Sequence, residues 1–125
     1  MPGGRVLSTG GDNHSNAGLY SPPYLLKGAR PTISSAPSRV SYEQTFTVGA
    51  PEAGSIARVT WLHPGSVTHA NPMEQRFLRL SSTVGSNSLA VTAPSDPRIW
   101  PPGYSMLLLL ASNGVPSVAK IIRIG

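Results

Sequence analysis

The stretch Ala57-Arg58-Val59-Thr60-Trp61-Leu62 alternates apolar Val59 and Trp61 with polar Arg58 and Thr60. Successive side chains of a strand point to opposite faces of a sheet, so this is the pattern of a strand with one buried face. Outward from it, turn signals fall at Ala36-Pro37, Pro51-Glu52-Ala53-Gly54, Gly85-Ser86-Asn87, Pro101-Pro102-Gly103 and Asn113-Gly114. They delimit further strands predicted at 32–35, 45–48, 76–80, 88–92, 104–111 and 118–124. Ser112-Asn113-Gly114-Val115 reads as a hairpin with a type I′ turn, because Asn-Gly tolerates positive φ at both central positions. No window holds an i, i+3, i+4, i+7 apolar stripe free of Pro and Gly. The expectation is an all-β fold, an immunoglobulin-like β-sandwich. The Cys–Trp–Cys marker of antibody domains is absent, which makes it a relative of those domains and not one of them.

Composition agrees. The 125 residues suffice for one real core, and 13 Gly with 13 Pro suit short, closely turned segments better than a helical bundle. Charged residues make up 12% of the chain, against about 25% in ordinary globular chains. The net charge of +5 rests on ten basic residues scattered singly, without the patch or stripe of a nucleic-acid footprint. With no cysteine there is neither a disulfide framework nor a thiolate metal site. Met1-Pro2-Gly3-Gly4-Arg5 leads into no apolar targeting segment, and any secretion signal is expected upstream. Met106-Leu107-Leu108-Leu109-Leu110-Ala111, the longest apolar run, is too short to span a membrane, so the chain reads as soluble.

Residues 1–28 differ in character from 29–125. They hold a Pro2-Gly3-Gly4 turn, a strand at 5–9, a Gly10-Gly11-Asp12-Asn13 loop and a strand at 17–20, and run out through Ser21-Pro22-Pro23-Tyr24-Leu25-Leu26. An isolated hairpin is marginal in water. These strands are therefore expected to be the remnant of a blade or the edge of a neighbouring sheet. Their cut edge is expected to pair with another strand, with self-association of the chain as one outcome.

Three histidines are the candidate ligating groups. His14 lies in an Asn-rich loop typical of exposed turns, and His63 is expected to be a solvated strand-end histidine. His69 sits in Gly65-Ser66-Val67-Thr68-His69-Ala70-Asn71-Pro72-Met73-Glu74-Gln75-Arg76, which reads as a hairpin between two strands. His63 and His69 are six positions apart across Pro64-Gly65, which is not the spacing of two ligands on one strand. A zinc site assembled from His14, His63, His69 and Asp12 is disfavoured, since these come from separate segments. The five acids form no convincing pair, there is no Gly-x-Ser-x-Gly elbow, and Gly10-Gly11 lacks dinucleotide-site context. Trp61 and Trp100 are expected in the core or an interface.

The pattern Thr68-His69-x-Asn71-x-x-x-Gln75-Arg76 resembles the segment with which the galactose oxidase and glyoxal oxidase family delivers a histidine to copper. Other segments add to it in the family's order. Gly4-Arg5-Val6 resembles the opening of a strand in the last Kelch blade, and Leu19-Tyr20-Ser21-Pro22-Pro23-Tyr24-Leu25 the exit from that propeller. Gly28-Ala29-Arg30-Pro31-Thr32-Ile33 resembles the entry into the C-terminal early-set, Ig-like domain. Pro102-Gly103-Tyr104-Ser105-Met106-Leu107 and Asn113-Gly114-Val115-Pro116-Ser117-Val118-Ala119 resemble its final hairpin.

The resemblance covers residues 4–124 and implies a β-propeller upstream, with this domain as its brace. It implies that His69 is a copper ligand supported by Thr68, Gln75 and Arg76. The remaining ligands, two tyrosines and a second histidine, would lie before Met1. It further implies an extracellular parent that oxidises a primary alcohol or aldehyde and reduces O2 to H2O2. The isolated chain is then expected to be catalytically silent and to hold no tight copper. The alternative from the residues alone is a free-standing Ig-like module that binds a protein or carbohydrate partner.

Overall fold

A computed structural model describes residues 3–10, 15–69 and 71–125, and for Val67 and Thr68 the backbone only. Twelve strands are present among these residues: β1 Val6–Thr9, β2 Ala17–Tyr20, β3 Arg39–Val40, β4 Thr45–Gly49, β5 Ile56–Leu62, β6 Ser66–Thr68, β7 Asn71–Met73, β8 Phe77–Leu80, β9 Ser82–Val84, β10 Ser88–Thr92, β11 Gly103–Ala111 and β12 Lys120–Ile124. A five-stranded sheet, β3-β12-β11-β5-β8, faces a three-stranded one, β4-β10-β9. The chain crosses from one sheet to the other at Ser81, between β8 and β9. β1 with β2, and β6 with β7, form separate two-stranded hairpins.

The alternation read in β5 decides the packing. Val59 and Trp61 turn inward with Leu107 and Leu109 of β11 and Ile122 and Ile124 of β12. Across from them stand Phe46 and Val48 of β4 and Leu89 and Val91 of β10, all buried. Trp61 is the hub: Phe46 packs edge-on to it at 6.1 Å between ring centroids, and Trp100 at 6.4 Å. Edge-to-face contacts of this kind add about 0.5–1.5 kcal/mol to the gain from burial. Trp100 is itself buried and donates its indole N–H to Ser105 Oγ at 2.9 Å, so its polar atom enters the core with a partner.

Two expectations are corrected, and two strands come in addition. The predicted strand at 32–35 is reduced to a single bridge, Ser35 to Gly49. Pro31 has no N–H to give, and the Thr32 N–H goes to the Glu52 carboxylate at 3.2 Å instead of to a ladder. The segment still lies close on β4: a Cβ at Gly49 would run into the Ser34 and Ser35 hydroxyls, so only glycine fits there. The final hairpin does not use a type I′ turn at Asn113-Gly114. Gly114 N–H closes on Ala111 O at 2.9 Å around Ser112-Asn113, and Gly114 alone of the loop has positive φ, +81°. This is a three-residue loop, held by Asn113 Oδ1 accepting from Val115 N–H and Asn113 Nδ2 donating to Lys27 O. Finally, β3 and β9 had not been anticipated. β3 is two residues long, and β9 is exposed throughout, so neither leaves a burial period in the sequence.

β1 and β2 form the expected strand pair, in register from Val6–Tyr20 to Thr9–Ala17. Nearly all their side chains are exposed, including Val6, Leu7, Leu19 and Tyr20. The pair is fastened to the sandwich by Tyr24, whose hydroxyl donates to Gly4 O at 2.6 Å. Beyond it, Arg30 donates from Nε to Pro116 O at 2.8 Å and from Nη2 to Ser117 O. No helix among the described residues is long and apolar enough to cross a membrane.

Candidate functional site at the tip of an inserted hairpin

β5 and β8 pair from Val59–Leu80 to Leu62–Phe77, and the ladder gains one further rung where His63 N–H donates to Arg76 O at 3.0 Å. Between those two residues the chain leaves the sandwich. Pro64 and Gly65 precede β6, which pairs with β7 in the register Ser66–Met73, Val67–Pro72 and Thr68–Asn71. β6 and β7 have no other sheet partner, and the described side chains of both strands are exposed. They form an arm standing off the end of the five-stranded sheet.

His69 is at the tip of that arm, exposed, with φ of +51°. A two-residue connection between antiparallel strands calls for left-handed backbone, which Gly, Asn and Asp adopt at least cost. A histidine there carries roughly 1–3 kcal/mol of backbone strain. Glu74, where the arm turns back towards β8, also has positive φ, +59°.

The residues expected to support His69 lie along the arm and at its base. Thr68 ends β6 and pairs with Asn71 through the backbone, while its side chain lies outside the described part of the structure. Gln75 is exposed. Arg76 is half-buried at the base of the arm, and among the described residues no hydrogen bond or ion pair to its guanidinium is present. His14 and Asp12 lie outside the described residues.

His63 corrects an expectation, for it is not a solvated strand-end histidine. It is half-buried against Trp100, edge-on with ring centroids 6.4 Å apart, and its Nδ1 is buried with no hydrogen-bond partner among the described residues. Nothing in the sequence near His63 signals Trp100 as its neighbour. Among the described residues no three His, Cys, Asp or Glu side chains come together as a metal site. The arm thus presents an exposed imidazole at its tip.

The fold is an early-set, immunoglobulin-like β-sandwich with an inserted arm and a leading strand pair. The family model for the galactose oxidase-like early set domain matches residues 30–124, and the chain belongs to that family. It is 34% identical to a galactose oxidase of Gibberella zeae, over 99% of this chain and 20% of that protein. It is 30% identical to the aldehyde oxidase GLOX of Vitis pseudoreticulata, over 99% of this chain and 28% of that protein. Among solved structures it resembles a fungal alcohol oxidase of the AA5 family in complex with copper. There the TM-score is 0.77 at 28% identity, with 86% of this chain and 24% of that one covered. The chain thus spans about a fifth to a quarter of the length of these relatives.

Proposed function

We propose that this chain is the C-terminal portion of a copper radical oxidase of the galactose oxidase and glyoxal oxidase type. Residues 1–28 are the tail of the last propeller blade with its linker, and residues 29–125 are the domain that braces the propeller. The arm carries His69 to the copper as one ligand, with Thr68, Gln75 and Arg76 supporting the arm against the propeller. The observation that carries this reading is the exposed imidazole at the tip of a two-stranded arm, on strained backbone that glycine would adopt more easily. Such strain persists where a function requires the side chain.

Copper(II) prefers imidazole and oxygen donors in a tetragonal arrangement, so a tight site takes three or four protein ligands. Among the described residues no group of three such donors forms, and on this reading the chain contributes His69 to a site completed by the propeller. Oxidation of an alcohol or aldehyde, with O2 reduced to H2O2, belongs to the intact protein, and this chain alone is catalytically silent.

The test is titration with Cu(II). The isolated chain should bind weakly and without stoichiometry, and should form no peroxide from primary alcohols or aldehydes. The protein together with its propeller should hold one copper, and His69→Ala should release it. Tight, stoichiometric binding by the isolated chain would sink the proposal, as would a His69→Ala protein that keeps its copper.

A further inference from the structure

The chain contains no cysteine and three methionines, so thioether sulfurs are the side-chain groups an oxidant attacks most readily. Met1 lies outside the described residues. Met106 is half-buried in β11, in register with Ile121 of β12 on one side and Leu62 of β5 on the other. Met73 is different, for it ends β7 and is 52% exposed. Trp61 and Trp100, whose indoles are also oxidisable, are buried in the core.

Met73 also has a particular place. It lies on the return strand of the arm, paired across it with Ser66, four residues after His69. At about 3.3 Å per residue, an extended segment of that length puts Met73 no farther than roughly 13 Å from the tip. The next residue, Glu74, holds left-handed backbone with φ of +59° where the arm turns back towards β8. The thioether thus stands between the imidazole at the tip and the strained residue at the base. A change in what Met73 can pack against acts on the segment that carries His69.

We infer that Met73 is a site of oxidation by hydrogen peroxide, and that its conversion to the sulfoxide loosens the arm and withdraws His69 from use. The inference rests on the proposed function for its oxidant: peroxide formed where His69 acts is released within a short distance of Met73. The thioether sulfur attacks one oxygen of HO–OH, so that an S–O bond forms as the O–O bond breaks. Sulfur is oxidised by two electrons and the peroxide is reduced. The proton on the transferred oxygen passes to the departing hydroxide, which leaves as water. The product side chain is polar and chiral where the thioether was apolar. In the isolated chain that change meets solvent and disturbs little. In the full-length protein it falls on the packed arm, and the reaction's own product then limits how long the arm serves.

Peroxide added to the isolated chain, followed by peptide mapping of the one-oxygen mass gain, tests the site. Met73 should take up oxygen several-fold faster than Met106. Met73→Leu, a swap of similar volume, should leave the chain folded with that signal gone. In the full-length protein oxidising a primary alcohol, Met73 sulfoxide should accumulate in step with the loss of copper and activity. Met73→Leu should complete several-fold more turnovers before the same loss. Three results would overturn the inference while leaving the proposed function intact: Met106 oxidised as fast as Met73, oxygen added to His69 instead, or a Met73→Leu protein that forms peroxide and decays at the wild-type pace. A full-length protein that forms no peroxide would overturn the proposed function, and this inference with it.

Discussion

The His63 imidazole stands edge-on against the indole of Trp100, with ring centroids 6.4 Å apart and planes at 61°. Trp100 in turn meets Trp61 at 89°, and Trp61 meets Phe46 at 73°. A continuous series of ring contacts therefore links the centre of the core to the residue at which the arm begins. The backbone bond from His63 N–H to Arg76 O closes the arm at the same level.

Truncating Trp100 should release both ends of that series. Trp100→Ala removes a buried indole and leaves the Ser105 hydroxyl without its donor, at a cost of about 3–5 kcal/mol. Calorimetry should show a large loss of melting temperature, and amide exchange at His63 should quicken. Trp100→Phe keeps a ring against His63 and Trp61 and should cost less. If exchange at His63 matches the wild type in Trp100→Ala, the core does not hold the root of the arm.

His69→Gly separates stability from function. Glycine adopts φ of +51° without the penalty a histidine incurs, so the isolated chain should become no less stable, and more stable by up to about 1 kcal/mol. Under the proposed function, the same substitution in the full-length protein should abolish copper retention. His69→Val should do the opposite to the fold, because a β-branched residue is the worst choice in left-handed backbone. Urea midpoints of the two variants, measured side by side, check the order.

How much of this was legible in the sequence depends on whether a residue's burial leaves a period. Val59 and Trp61 did, and they placed the largest strand and the core. Residues 32–35 imitated a strand because Ile33 is buried between exposed neighbours, yet only Ser34 and Ser35 bond to β4, both at Gly49, and the Thr32 N–H goes to Glu52. β9 is exposed on both faces and so carries no pattern. His69 is exposed too, and only its resemblance to a family segment singled it out. The contact of His63 with Trp100 joins residues far apart in the chain, and local spacing cannot report it.

Arg30 joins the entry segment to the last hairpin through the carbonyls of Pro116 and Ser117. Ser117 continues the connection inward, its hydroxyl accepting from the buried Leu109 N–H at 3.0 Å. Arg30→Met keeps the aliphatic stem and removes two charge-assisted bonds. The expected loss is about 2 kcal/mol, given that the site is only partly buried. For a domain of this size the melting temperature should drop roughly 5–10 °C. Arg30→Lys should recover little of it, since an ammonium cannot reproduce the guanidinium fork that spans both carbonyls. A lysine variant as stable as wild type would show that charge alone, and not the fork, holds the junction.

Acid should weaken one local contact in a predictable direction. Asp96 accepts from Arg98 Nε at 3.0 Å and Nη2 at 2.9 Å, and from the Arg98 backbone N–H at 2.8 Å. The Arg98 side chain, then its backbone N–H, holds the Asp96 carboxyl below its ordinary value. The folded state therefore favours the ionised form more than the unfolded state does, and the unfolded state binds the proton first as pH falls. The contribution is complete above the unfolded carboxylate range, near ~4, and disappears as pH drops through the lower folded value. Arg98 is exposed and Asp96 is only half-buried, so the effect should be small and should shrink in high salt. Asp96→Asn should melt slightly below wild type at neutral pH in low salt, and the two curves should converge in acid. Curves that stay parallel down to strongly acid pH would show that the carboxylate charge contributes nothing to holding the 96–99 turn.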